Sequence, residues 1–150
     1  MITIAQLIRL PRKFGKYYDR QFLPLLEQTG LTMREVHVLL FLANHPGQDT
    51  ARDVTELRGM AKSQVSQAVE VLAGRGLLTR RADGEDRRIV HLEITEQGAP
   101  LAREAQAVQA ACGRRLLAGL TGEEQTVFLD LLERVLREME DLSAEKECCT

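Results

Sequence analysis

Arg87 and Arg88 stand side by side in the run DGEDRRIVHLEITEQG, residues 83–98 of a 150-residue chain. A guanidinium is planar, permanently charged and rich in donors, so two of them on a projecting turn suit phosphate or the electronegative floor of a narrow groove. Three acids crowd the same turn. Asp86, next to the pair, is expected to hold one guanidinium in a fixed geometry rather than cancel it. A second polar cluster lies upstream in KSQVSQAVEVLAGRG, where Lys62, Ser63, Gln64, Ser66 and Gln67 are close together. Glutamine can pair in bidentate fashion with adenine, serine serves bases or phosphates, and lysine serves mainly phosphate. Gln64 and Gln67 are therefore the expected base readers. Arg52, opening the short segment ARDVTELRG, suits a phosphate contact.

These side chains need elements to carry them. Thr32 and Glu35 form a capping-box pattern, with Leu31 and Val36 at the positions of a hydrophobic staple, so a helix is predicted from Met33. Its stripe is Val36, Leu39, Leu40 and Ala43, and His45-Pro46-Gly47 ends it. Thr50 and Asp53 repeat the cap ahead of a short helix in which Val54 and Leu57 are expected to face one way, and Gly59 closes it. Val65, Val69 and Leu72 then mark a longer helix with Gly76 at a left-handed C′ position. Leu77–Arg81 and Ile89–Thr95 read as two strands, with Asp83-Gly84 as a favoured turn pair between them. A helix is expected over about 14–28, after Pro11, another from about Glu96 to Leu117, and a last one after the capping box of Thr121 and Glu124. The last helix repeats Phe128, Leu132, Val135, Met139 and Leu142, a packing seam. Its neighbour offers Leu101, Ala105, Val108 and Cys112.

The totals bound the function. A hydrophobic content of 44% is enough for a buried core, which argues against disorder. The net charge of −2 disfavours a general polyanion binder, but the acid excess sits after residue 92 and leaves room for a local basic face. No run approaches the roughly 18–20 apolar residues that span a bilayer, and the N-terminus lacks a secretory pattern, so no membrane partner and a cytoplasmic location are expected. Cys112, Cys148 and Cys149 are too few and too clustered for a disulfide framework. The fold class expected is mainly α with one small antiparallel β-hairpin.

Helix, turn, helix, then a two-stranded hairpin is the order of a winged helix-turn-helix domain. Asp86, Arg88, Leu92, Ile94, Thr95 and Gly98 resemble the wing signature of the MarR-type transcriptional regulators, and GMAKSQVSQAVEVLAGRGLLTRR is similar to their recognition helix and first wing strand. The resemblance runs from about Leu31 to Gly98. It implies a winged lobe over 31–98, dimerisation helices over 1–30 and 99–145, and a flexible tail over 146–150. It also implies a homodimer on near-palindromic double-stranded DNA, most often as a repressor, with Arg88 as the groove arginine and Asp86 as its partner. Three positions depart from the pattern. Ala61 stands where the family usually has a capping serine or threonine, Gln67 replaces a common arginine, and Pro100 falls in the early turns of a helix.

Other readings compete at each secondary site. Tyr17, Tyr18, His37 and Phe41 fit the border of a crevice for a small aromatic effector, as the resemblance implies, and core packing accounts for them equally well. Cys148 and Cys149 raise a redox or soft-metal sensor, against which a frayed terminus is the plainer context. The three histidines do not fall at metal-ligand spacings, and no cofactor is expected. No nucleophile, base and orienter stand out, nor does a phosphate-binding glycine loop, so an enzyme ranks last. The alternative of another class is a winged-helix module that docks proteins without selecting DNA.

Overall fold

A computed structural model describes residues 3–147, with the backbone alone for 4, 7 and 143–147. The pair Cys148 and Cys149 and the end of the expected tail lie outside the described residues. The chain divides after Cys112 into two compact units, the division falling within a helix.

The first unit opens with α1 (Ile4–Gln21), capped by Thr3 in a box with Gln6, and α2 (Leu23–Thr29). The sequence predicts one helix over 14–28. The chain instead starts its helix earlier, tolerating Pro11 in the exposed half of α1, and breaks at Phe22. Pro24 explains the break, because it has no N–H for the carbonyl four residues back and its ring crowds that carbonyl, whereas the first turn of α2 needs no such donor. Phe22 is fully buried at the joint, and Gly30 ends α2 at φ +67°.

α3 (Met33–Asn44) begins at Thr32, whose N–H donates to Glu35 Oε2 at 2.6 Å. It buries more than the expected stripe, since Val38 and Phe41 are covered along with Val36, Leu39 and Leu40. α4 (Ala51–Arg58) carries the second box, Thr50 N–H to Asp53 Oδ2 at 2.9 Å and Asp53 N–H to Thr50 Oγ1 at 3.1 Å. Val54 is buried, but Leu57 is 57% exposed, contrary to the expectation that they share a face. Three residues advance a helix by 300°, and one short helix offers its neighbours only a narrow edge.

α5 (Lys62–Gly74) turns Val65, Ala68, Val69 and Leu72 inward. It ends in a Schellman motif, with Leu77 N–H on the Leu72 carbonyl at 2.9 Å and Gly76 N–H on the Ala73 carbonyl at 3.0 Å, which requires the φ of +71° at Gly76. β1 (Leu78–Ala82) and β2 (Val90–Ile94) pair antiparallel, each edge within one residue of its predicted limit. Of the alternating set, Leu92 is buried while Val90, further out, is 39% exposed. One isolated bridge, Thr50 to His91, adds the α3–α4 turn to the edge of β2.

Thr95 and Gly98 weld the hairpin base to the end of α5. Thr95 Oγ1 donates to the Gly76 carbonyl at 2.6 Å, and Gly98 N–H donates to Thr95 Oγ1 at 3.0 Å. α6 (Ala99–Leu117) starts three residues later than predicted, which places Pro100 in the first turn where its missing N–H costs nothing. One core joins Phe22 and Leu25, Val36 and Leu39, Val54, Val65 and Leu72, Leu92 and the α6 residues Ala105 and Cys112. It draws on residues either side of the expected 31–98 lobe.

In the second unit α7 (Gly122–Glu147) follows the predicted box, Thr121 N–H to Glu124 Oε2 at 2.8 Å. The seam residues of α6 and α7 part company here. Ala105 and Cys112 are buried in the chain's own core, whereas Phe128, Leu132, Val135, Met139 and Leu142 are all exposed. No helix among the described residues is long and apolar enough to cross a membrane.

Candidate nucleic-acid interface

With α5's apolar side committed to the core, its opposite side faces solvent, and Lys62, Ser63, Ser66 and Gln67 are all exposed there. Gln64 is half-buried and bends back, its Oε1 3.4 Å from the N–H of Ala61. Ala61 is the N-cap and has no side-chain acceptor, so Gln64 takes half of the capping work at long range. Gln67, free of that duty, is the more available of the two glutamines.

Beside this face a cleft of about 480 Å³ runs between α4, α5 and the hairpin, and it gathers Arg52, Lys62 and Ser66 with Arg80. Arg52 is engaged by Glu56 at 2.7 Å one turn on, and Arg80 by Glu70 at 2.7 Å. Both pairs are exposed, so each holds its arginine weakly and can yield it to phosphate. Arg80 was not expected from the sequence. Its only signal is the basic pair at 80 and 81 on a strand, and the partner at position 70 becomes a neighbour only when α5 folds against β1.

At the hairpin tip the acids do something other than predicted. Asp86 Oδ1 accepts the backbone N–H of Arg88 at 2.9 Å and does not grip a guanidinium. Asp83 Oδ1 accepts the N–H groups of Glu85 and Asp86 at 2.8 and 2.9 Å. These are the local turns that short carboxylate side chains make with nearby backbone N–H groups. The acids shape the loop, and the arginine heads stay outside their bonding. Arg87 and Arg88 are exposed, and neither enters an ion pair among the described residues. Arg81, one strand lower, is paired with Glu93.

A histidine missed by sequence reasoning sits on β2 near the loop end of the hairpin, opposite Arg81. His91 Nδ1 lies 2.6 Å from Asp49 Oδ1, and its Nε2 lies 3.0 Å from Asp83 Oδ2. Backbone N–H donors, led by that of Asp86, with the His91 ring, hold the Asp83 carboxyl far below the usual carboxylate range. Hydrogen bonds to Asp49 first and Asp83 second push His91 up. Asp49 is 42 residues away in sequence, so no spacing announces this contact.

The four aromatic candidates are brought together, chiefly as packing. Tyr18 and Phe41 are buried, while Tyr17 and His37 are partly exposed. Tyr18 stacks on His37 with centroids 6.4 Å apart, and Phe41 stacks on His45 at 4.4 Å. Gln109 Nε2 donates to the Tyr18 hydroxyl at 3.1 Å, and the Tyr17 hydroxyl donates to the Cys112 carbonyl at 3.3 Å. Burial, aided by the nearby Arg58 charge, lowers His37 to about 4, and its Nε2 is buried without a hydrogen-bond partner among the described residues. No group of three or more His, Cys, Asp or Glu among the described residues is placed to hold a metal ion.

A family profile described as "MarR family" matches residues 29–89. The fold is similar to that of a probable transcriptional regulator from Pseudomonas aeruginosa, 26% identical, TM-score 0.67, covering 87% of this chain and 96% of that one. It is also similar to BpsR of Bordetella bronchiseptica, whose DNA binding is regulated by 6-hydroxynicotinic acid, 25% identical, TM-score 0.68, covering 87% and 98%. CouR of Rhodococcus jostii RHA1, bound to p-coumaroyl-CoA, is 27% identical with TM-score 0.68, covering 88% and 90%.

Proposed function

Because this chain belongs to the MarR family of winged helix-turn-helix transcriptional regulators, which bind DNA, we propose that it acts as a homodimeric, sequence-specific repressor released by a small aromatic effector. Two copies straddle one face of a duplex, each seating α5 in the major groove and the β1–β2 wing in the adjacent minor groove. A helix about 10–12 Å wide fits a major groove of similar width. Half-sites then lie about one helical turn, ~10 bp, apart in a near-palindrome.

One observation carries this reading: the polar face of α5 and the wing arginines, which enter no ion pair among the described residues, are both solvent-facing, while Arg52, Arg80 and Arg81 nearby are held by Glu56, Glu70 and Glu93. Gln67 and Gln64 read bases, with Lys62, Ser63, Ser66 and Arg52 on the backbone, while Arg87 and Arg88 enter the minor groove. The exposed seam of α7 supports the homodimer. The regulator named for BpsR and the compound bound to CouR, both aromatic, support an aromatic effector. His37, neutral at physiological pH and with its Nε2 lacking a partner among the described residues, is its expected polar contact, with Tyr17 beside it and Tyr18 and Phe41 as packed backing. An effector need favour the mismatched dimer geometry by only a few kcal/mol to empty the site. The protein works in the cytoplasm, where its DNA is.

Selection of duplexes from random DNA, followed by gel shifts over a salt series, tests this. Expected are a near-palindromic consensus and a steep loss of affinity with salt; binding without duplex selectivity would remove the reading in favour of a protein-docking module. Arg88→Ala should lower affinity on all sequences and reduce the salt slope by about 1 while the dimer persists. Gln67→Ala should instead cost about 1–3 kcal/mol at one or two base positions.

A further inference from the structure

His91 has a carboxylate on each ring nitrogen, 2.6 Å to Asp49 and 3.0 Å to Asp83. An ionised carboxylate only accepts hydrogen bonds, so both nitrogens must donate, and only the imidazolium has two N–H groups. The ring is 20% exposed, which keeps water from easily replacing either carboxylate. Each carboxylate belongs to a different part of the lobe. Asp49 sits on the turn before α4, and Asp83 opens the wing loop.

From Asp83 the chain of bonds continues outward. Its other oxygen accepts the N–H of Asp86, whose own carboxylate accepts the N–H of Arg88. The Arg88 backbone is thus three hydrogen bonds from the His91 ring. Resting on the DNA reading above, we propose that His91, as an imidazolium bridging Asp49 and Asp83, is a positioning residue for the wing arginines, so that duplex affinity falls when it loses its proton.

Loss of one proton leaves one nitrogen lone pair facing a carboxylate lone pair, and that contact opens. The Asp49 side is also held by the Leu92 N–H on the Asp49 carbonyl at 2.7 Å and by the Thr50–His91 bridge, so the Asp83 side gives way. The charges facing the ring are Asp49, Asp53 and Asp83, which favour the imidazolium, and Arg81, which opposes it and is itself paired with Glu93. The direction follows: the bridge is complete below the ordinary histidine range and is lost as pH rises through His91's raised value.

The test measures affinity for a duplex selected by the wild-type protein, at constant ionic strength, from about pH 6 to about pH 9. Wild type should weaken about tenfold, equivalent to about 1.4 kcal/mol. His91→Gln, able to donate to one carboxylate only, should be flat at the wild-type high-pH level. The double variant Arg87→Ala/Arg88→Ala should bind weakly and be flat. A flat wild type, or the same fall in His91→Gln or in the arginine variant, would overturn the role of His91. Tight binding by the arginine variant at low pH would instead overturn the wing contact itself. Independent of any variant, ¹⁵N spectra of the wild-type ring should show two ring N–H groups at low pH and titration above about 6.5; titration at or below that value sinks the proposal.

Discussion

At Gly98 a single carbon decides whether the hairpin meets the helical body. A Cβ there would stand 2.2 Å from the Leu77 carbonyl oxygen, a backbone atom that already accepts the Thr95 N–H and cannot swing aside. Gly98→Ala should therefore destabilise the fold by about 3 kcal/mol, read from urea unfolding, although it adds only a methyl group. A loss under about 0.5 kcal/mol, the range of an indifferent surface change, would mean the close approach is not real. His37 makes an opposite demand on pH from His91. Its value is lowered to about 4 against an ordinary 6.5, so between those values the unfolded chain binds the extra proton and stability falls as pH falls. Thermal melts at about pH 7 and about pH 5 should show a larger loss for wild type than for His37→Gln. Equal losses would place the titrating group elsewhere.

Among the elements, α5 begins with its weakest feature. Ala61 supplies no cap, and Gln64 compensates at a distance of 3.4 Å, the outer limit of a useful bond. Ala61→Ser should stabilise the protein by about 1 kcal/mol, raising Tm by about 2–4 °C. It should also release the Gln64 side chain toward solvent. No gain in Tm would show that the present cap is already adequate. The wing loop follows a different logic from the one its composition suggests. Its acids spend their oxygens on backbone N–H groups and on His91, which rigidifies the loop and leaves Arg87 and Arg88 outside any ion pair among the described residues. A guanidinium already clamped by a carboxylate would have to lose that partner before meeting DNA.

For the molecule as a whole, α7 poses the largest unbalanced account of apolar surface. Val127, Phe128, Leu131, Leu132, Val135, Leu136, Met139 and Leu142 are each more than 40% exposed in the single chain, well beyond the scattered apolar residues normal on a monomer's surface. Burial recovers about 25 cal/mol per Å², which is what the proposed homodimer would gain by covering this face with a second copy. Replacing Leu132 and Val135 together by glutamate should give a monomer in sedimentation velocity and lose tight duplex binding, with the helical signal largely kept. A persistent dimer would move the interface off α7.

Much of this protein was legible from local chemistry. The capping boxes at Thr32, Thr50 and Thr121, the glycine stops at 59 and 76, the hairpin limits and the inward stripe of α5 all follow from hydrogen bonds and periodicities that span a few residues. The polar face of α5 and the arginine pair came from the same kind of reading. What local pattern could not supply depends on what lies opposite in space. Pro24 splits a helix that periodicity joined, Leu57 loses its cover, and Asp86 turns to the backbone. His91 finds Asp49 across 42 residues because the α3–α4 turn folds onto β2. Periodicity assigns a residue to a face of its own element, but only tertiary packing supplies the partner that face will meet.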